Sequence, residues 1–307
     1  MSFTSKLYNR VHVIFQLSKE TLLSFFQERA FFHGAALSYY ALFSMFPLLF
    51  LVISLLGRFL GKDFILKLIK DFLLENVGLR NVDEIMQVVG TYNLDKGNLF
   101  LEIIGIIFVL IASSAFLNSL RNSINEFYNI ERMVLKGRKA IQVNVFERMI
   151  SLLFLAVFAS VFLLLYLFHS IGFTLIQTWI NFSTDIQILV VRGLDFFFSI
   201  LLNYIIFLLI FKYLNNGIVT WRVASMGAIV TAVMLFLGQL LIKYYLINMF
   251  VLGTAGIAGS LFIFMAWVHY SSQLIFVGAK FTFTFSKKIG SPIILREPKK
   301  TKKSNFS

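Results

Sequence analysis

Six long apolar segments constrain the fold of this 307-residue chain more than any other feature of its sequence. A helix needs roughly 20 predominantly apolar residues to cross a hydrocarbon core of about 30 Å. Buried helices of a large soluble protein would need polar faces on the outer helices, and these segments have none. We therefore predict an all-α polytopic membrane protein with six transmembrane helices plus interfacial amphipathic helices. The predicted spans are Gly34–Gly57, Leu99–Ser119, Met149–Phe168, Leu194–Leu214, Val223–Ile247 and Gly256–Ala279.

The distribution of charge predicts the orientation in the membrane. Only 14% of the residues are charged, against about 25% in a soluble domain, yet the net charge is +13. Such a charge suits either a nucleic-acid partner or basic loops that face an anionic leaflet. Of the 28 Lys and Arg residues, 20 fall on the side that carries both termini. Basic residues stay preferentially cytoplasmic, so we expect both termini in the cytoplasm and no nucleic-acid partner.

Three regions follow from this topology. Residues 1–33 form a cytoplasmic N-terminal amphipathic segment, in which Lys19–Phe32 is expected to be a helix lying along the interface. Residues 34–285 form the six-helix membrane domain. Residues 286–307 form a basic cytoplasmic tail that we expect to be disordered and dispensable for folding.

The segment Arg58–Asn98, between the first two spans, carries an apolar face at helical spacing. An interfacial helix is predicted around Phe64–Phe72, with Lys62, Lys67 and Lys70 on its other side. A second short helix is predicted at Asn81–Val89. These helices either lie on the outer leaflet or cap the bundle, and a loop with no role beyond stability is the alternative.

Small and polar residues within the spans predict where helices meet, because lipid gives apolar side chains no preference for one another. Ala30, Gly34 and Ser38 in span one, and Ala224, Ala228 and Ala232 in span five, predict close helix contacts. Polar faces of spans one and six either line a cavity or only pack. The candidate cavity-lining and substrate-lining residues are Ser38, Tyr39, Tyr40, Ser44, Pro47, Trp267, His269, Tyr270, Ser271 and Gln273.

Three stretches carry a resemblance to a known family. Residues 35–49 are AALSYYALFSMFPLL, followed by ISLLG at 53–57; residues 267–274 are WVHYSSQL, followed by GAKFT at 278–282; and 120–128 are LRNSINEFY. This pattern closely resembles the YihY/BrkB membrane family over about residues 30–285. The chain departs from it at His269, where an aromatic residue is common, and at Lys280, where an acid is common. A role for that acid is therefore in doubt here.

The resemblance implies a six-helix protein of the bacterial inner membrane with cytoplasmic termini. It implies little about chemistry. The family formerly carried a ribonuclease BN label that was later regarded as misassigned, and some members are linked to the export of lipid A precursors.

Catalytic chemistry finds no support in the residues themselves. His12, His33, His169 and His269 are predicted on scattered elements without metal-ligand spacing, and no serine has an adjacent base. We therefore expect no enzyme, no catalytic or metal residues and no cofactor.

The remaining functional hypotheses concern the membrane itself. The first is a transporter or a lipid (amphiphile) handling or export protein, with membrane lipids as partners and an anionic amphiphile as substrate. Arg58 or Lys280 would attract the anionic headgroup. The alternative is a non-transporting scaffold or envelope assembly factor, and a membrane-bound ribonuclease is the least favoured hypothesis.

Overall fold

Six long or medium helices and one short strand pair make up most of the described part of the molecule, and residues 16–27 add a further helix. The computed structural model describes residues 16–74, 82–83, 85–86, 99–130, 185–249, 256–288 and 291–295. In chain order the elements are α1 (Ala30–Leu60), α2 (Lys62–Phe72), α3 (Leu99–Phe127), α4 (Asp185–Tyr213), β1 (Gly217–Ile218), α5 (Trp221–Met249), α6 (Gly256–Lys288) and β2 (Ile294–Leu295).

Five of the predicted spans coincide with the long helices α1, α3, α4, α5 and α6. Three of these helices contain a segment long and apolar enough to cross a membrane, namely Phe196–Tyr213, Trp221–Ile242 and Ala258–Lys288. The predicted third span, Met149–Phe168, lies outside the described residues. The structure thus supports an all-α membrane protein, and the number of six spans stays a prediction.

The long helices pack side by side in the order α3, α1, α6, α5, α4. The predicted small-residue contacts are confirmed, because Ala30, Ser38, Ala224, Ala228 and Ala232 are all buried. Small side chains let helix backbones approach closely, which is the main source of packing energy between helices in lipid.

The segment after α1 caps one end of this bundle. Gly61, with φ 91°, ends α1 and allows the chain to turn directly into α2. Ile65 and Ile69 of α2 are buried with Ile53 of α1 and Ile263 of α6, whereas Phe64 is exposed. Residues 82–83 and 85–86, within the predicted second short helix, are helical, and Val82 and Ile85 belong to the same cluster. The described parts of the segment therefore pack on the bundle, as the second of its two predicted placements requires.

The predicted helix Lys19–Phe32 is not continuous. Residues 16–27 are helical, the chain then turns at Glu28 and Arg29, and α1 begins at Ala30. Arg29 has a left-handed backbone, with φ 48°, which interrupts the helix. Leu17, Thr21 and Phe25 form a buried stripe on residues 16–27. This amphipathic segment packs on the bundle, and the predicted boundary at 33 and 34 falls inside α1.

The expected disorder of residues 286–307 is wrong for the first part of that tail. The helix α6 continues to Lys288, and β2 pairs antiparallel with β1 in the connection between α4 and α5. Ile293 lies against Gly217, where even a methyl group would collide with its Cγ2 atom, and joins the main core. Backbone pairing with β1 and the packing of the partly buried Ile293 side chain order this stretch, which its basic composition does not predict. Residues 296–307 lie outside the described residues.

Candidate functional site at the start of α1

A cavity of about 730 Å³ opens where α1 begins and α3 ends. Its lining residues are Arg29, Phe32, His33, Ala36 and Glu126. Phe32, His33 and Ala36 share one face of the first turns of α1, and Arg29 immediately precedes this helix. Glu126 belongs to the last turn of α3. The cavity is an open cleft rather than an enclosed pocket.

His33 holds the two helices together at the cavity wall. Its Nε2 atom lies 3.0 Å from Glu126 Oε2, and its Nδ1 atom lies 3.0 Å from Ser123 Oγ. The carboxylate can only accept, so Nε2 donates this hydrogen bond. The imidazole also contacts the edges of the Phe127 and Phe276 rings at 5.9 and 6.1 Å between centroids. One oxygen of Glu126 is thereby fixed, while the side chain as a whole remains 52% exposed.

Arg29 supplies a positive charge on the same cavity. Its side chain forms no ion pair or hydrogen bond with the described residues, unlike the neighbouring Glu28. A guanidinium carries five N–H donors in a planar fork that matches phosphate or carboxylate oxygens. The cavity therefore presents a cation and an anion together, beside Phe32, which is 76% exposed.

Lys280 does not face this cavity as a free cation. It is only 3% exposed, and its ammonium forms an ion pair with Glu28 at the turn before α1. The Nζ atom also lies 4.8 Å from the centroid of the Phe283 ring. The hypothesis that Lys280 attracts an anionic headgroup is therefore wrong, because Glu28 already neutralises it. The side chain of Arg58 lies outside the described residues.

A comparison with protein families matches the sequence model described as "Virulence factor BrkB" to residues 21–303 of this chain. The chain belongs to the BrkB virulence factor family. No curated protein and no solved structure matches it. The predicted resemblance to the YihY/BrkB family is thus confirmed, and the BrkB family is not a known enzyme family.

The structure brings part of the predicted site of this BrkB protein together. Gln273 of α6 donates a hydrogen bond to the Ala30 carbonyl, 3.3 Å from Nε2, and its amide fills the space beside Gly34. His269 also lies against Gly34, and its ring stacks on Phe31 at 6.3 Å. These two side chains of α6 therefore contact the first turn of α1.

Other predicted residues of α6 point elsewhere. Tyr270 lies against Gly238 of α5, where its hydroxyl would be 2.9 Å from an added Cβ. Trp267 packs against the cluster that contains Ile65 and Ile69 of α2, and its ring stacks on Phe264. Ser271 is half-buried, and the adjacent Ser272 bonds the Val268 carbonyl of its own helix. The side chains of residues 267–273 thus point to different sides of α6, because consecutive helical residues point about 100° apart.

The predicted residues of α1 divide in the same way. Ser38 and Ser44 are buried and donate to the carbonyls of Ala35 and Ala41 in their own helix. Tyr39 and Tyr40 are 53% and 37% exposed, and the Tyr39 ring packs against Tyr40 and Phe43. Pro47 lies within α1, and its side chain is outside the described part of the chain.

The BrkB-like stretch LRNSINEFY closes the site from α3. Asn125 accepts a 2.8 Å hydrogen bond from the backbone N–H of Asn216, which ties α3 to the connection between α4 and α5. Tyr128 follows α3 and is almost fully buried. Burial raises the pKa of the Tyr128 hydroxyl, and the Thr282 side chain opposes this rise to a smaller extent. The tyrosine is therefore neutral at physiological pH.

Sequence reasoning missed the cavity itself. In the sequence Arg29 enters only the count of basic residues that predicts the orientation, Glu126 carries no predicted role, and His33 is one of four histidines on scattered elements. The structure instead brings His33 and His269 to the same α1–α6 contact. A usable signal was present, since Arg29 and His33 are four residues apart at the very start of an apolar span. Among the described residues, no group of three His, Asp or Glu side chains is placed to hold a metal.

Proposed function

We propose that this BrkB family protein handles an amphiphilic lipid in the bacterial inner membrane, either by moving it between leaflets or by passing it on for export. The observation that carries the proposal is the 730 Å³ cavity, in which the charged groups of Arg29 and Glu126 lie beside the exposed ring of Phe32. A polar headgroup and an apolar chain need these two kinds of surface side by side. A small ion would need only the first.

The predicted orientation places this cavity at the cytoplasmic leaflet. Both termini are predicted to be cytoplasmic, and the cavity lies at the start of α1, on that side of the first span. The polar contact of Gln273 and His269 with α1 adjoins the same end of the bundle. We infer that a headgroup enters between α1 and α3, beside the Gln273 contact, and moves along α1, which carries Tyr40 and Ser44.

Transport is tested with the purified full chain in proteoliposomes that contain a fluorescent phospholipid, using a membrane-impermeant quencher to measure movement between leaflets. We expect the protein to accelerate this movement and Tyr40→Phe, Ser44→Ala and Gln273→Leu to slow it. Ser114→Ala is the matched control, because Ser114 is a buried serine that also bonds a carbonyl three residues earlier in its own helix. Normal folding with unchanged lipid movement in all three variants would contradict this function.

A scaffold or assembly factor is the second candidate. The α2 segment favours it, because Ile65, Ile69, Val82 and Ile85 are buried against the ends of α1 and α6. This packing makes a folded cap that a partner protein can recognise on its outer side. A scaffold predicts no lipid movement in proteoliposomes and loss of cellular function when exposed residues of α2, such as Phe64, are changed.

A further inference from the structure

We propose that the cavity at the start of α1 binds the headgroup of a phospholipid that carries a primary amine, with Arg29 at the phosphate and Glu126 at the ammonium. This inference rests on the proposed function and names the substrate class of the same site. It differs from the anionic amphiphile expected from the sequence, because the cavity contains both charges.

The charges of the cavity complement a zwitterion. The Arg29 guanidinium has no ion pair among the described residues, and its fork can donate two parallel hydrogen bonds to phosphate oxygens. One oxygen of Glu126 bonds His33, and the other has no partner among the described residues, so it can accept from a new donor. A primary ammonium has three N–H donors, so it can bond this second oxygen. A trimethylated ammonium has no N–H to donate.

The same arrangement disfavours a purely anionic headgroup. A phosphate at Arg29 would place its negative charge in one cavity with the Glu126 carboxylate. Lys280 cannot offset this repulsion, because Glu28 already holds it in a buried ion pair. An amine on the headgroup turns this repulsion into an attraction.

The opening of the cavity favours a lipid over a soluble zwitterion. Phe32 lines the cavity and is largely exposed, and Phe26 and Phe31 are exposed nearby in the chain. Phe31 and Phe26 are themselves in ring contact, at 6.5 Å between centroids. These rings give a glycerol backbone and acyl chains an apolar surface next to the charged pocket.

The site is tested by lipid retention on the purified full chain in detergent. Equal amounts of phosphatidylethanolamine, phosphatidylcholine and phosphatidylglycerol with identical acyl chains are added, and bound lipid is counted by native mass spectrometry. We expect phosphatidylethanolamine to be retained about tenfold more than either competitor, which corresponds to one charge-assisted hydrogen bond. Equal retention of the three lipids by the unmodified protein would overturn the proposal without any variant.

Two variants separate the two charges. Arg29→Gln should lower retention of both phosphatidylethanolamine and phosphatidylglycerol about tenfold, because both lose their phosphate contact. Glu126→Gln should lower only phosphatidylethanolamine and should raise phosphatidylglycerol. Lys19→Gln and Glu20→Gln are the matched controls, since both residues are exposed on the adjacent amphipathic segment. An unchanged ratio of the two lipids in Glu126→Gln contradicts the assignment of the ammonium.

Two further measurements distinguish a lipid headgroup site from a site for a soluble zwitterion and from transport itself. Free glycerophosphoethanolamine, at the concentration of the lipid, should not displace it; full displacement would overturn the choice of a lipid. If the protein retains phosphatidylethanolamine selectively but does not move lipid in the proteoliposome assay, transport is refuted and the headgroup site is supported. If it moves lipid but shows no selectivity for the amine, the headgroup site is refuted and transport is supported.

Discussion

Thr231 on α5 lies directly against Gly278 on α6, and a Cβ atom added to Gly278 would overlap the Thr231 hydroxyl. The relationship is reciprocal, because Thr282 on α6 lies in the same way against Gly227 on α5. Each threonine hydroxyl donates to the carbonyl of the glycine four residues earlier in its own helix, at 2.8 Å for Thr231 and 2.7 Å for Thr282. The two hydroxyls are therefore satisfied inside the membrane while the helix backbones approach closely.

Gly278→Ala should destabilise the protein by about 1–3 kcal/mol, because the added methyl group has no space at this contact. Unfolding in detergent, followed by circular dichroism, measures the effect. Gly193→Ala is the control, since Gly193 lies in α4 with nothing within 4 Å of an added Cβ, and alanine there should be neutral or stabilising. Adding Thr231→Ala should recover part of the stability lost in Gly278→Ala. Simple additivity of the two changes would argue against the contact.

Lys280→Met should destabilise the protein by about 3–5 kcal/mol, because it leaves the carboxylate of Glu28 without its cation at a partly buried site. The double variant Glu28→Gln with Lys280→Met should be closer to the unmodified protein than Lys280→Met alone. Asp83→Asn tests an exposed ion pair, since Asp83 Oδ1 lies 2.6 Å from Lys70 Nζ at the surface. This change should lower the free energy of unfolding by less than about 1 kcal/mol. Thermal unfolding in detergent distinguishes these values.

Tyr128→Phe should make the protein less sensitive to alkaline conditions. The folded protein raises the pKa of Tyr128, so above about pH 10 the unfolded chain loses this proton while the folded protein keeps it. Unfolding then releases a proton, and stability falls by up to about 1.4 kcal/mol per pH unit. Below that pH the tyrosine is neutral in both states and contributes no pH dependence. Identical stability profiles of the two proteins between about pH 9 and about pH 11 would refute the link.

Reporter fusions test the predicted orientation. A reporter fused at Ser307 should lie in the cytoplasm, and one inserted near Asn76 should lie on the other side, because most Lys and Arg residues fall on the side of the termini. Alkaline phosphatase and green fluorescent protein give opposite signals for the two locations. The reverse pattern would also move the headgroup cavity to the opposite leaflet.

The sequence alone predicted the structure correctly where a residue pattern repeats along one helix. The apolar segments predicted the long helices, and Ala224, Ala228 and Ala232 predicted a buried contact face on α5. The period of α2 predicted a helix with Ile65 and Ile69 on its apolar face, and the structure buries both against the bundle. Such patterns are local, because 3.6 residues per turn decides which residues share a face whatever the partner is.

The sequence could not identify which charges would meet. Glu28 and Lys280 are 252 positions apart, and His33 and Ser123 are 90 apart. A helical wheel places Trp267, His269, Tyr270 and Gln273 relative to one another, yet it does not say which neighbouring helix each of them contacts. Only the packing order of α1, α6 and α5 turns Gln273 toward α1 and Tyr270 toward α5.

The sequence by itself determined an apolar helical membrane protein of the BrkB type, together with the small-residue contact face of α5. The tertiary structure alone decided that Arg29, His33 and Glu126 share a cavity and that Lys280 is neutralised by Glu28. The physical reason is that hydropathy and helical period act within one segment, whereas an ion pair or a cavity wall depends on distances between segments. Those distances are set when α1 packs against α3 and α6.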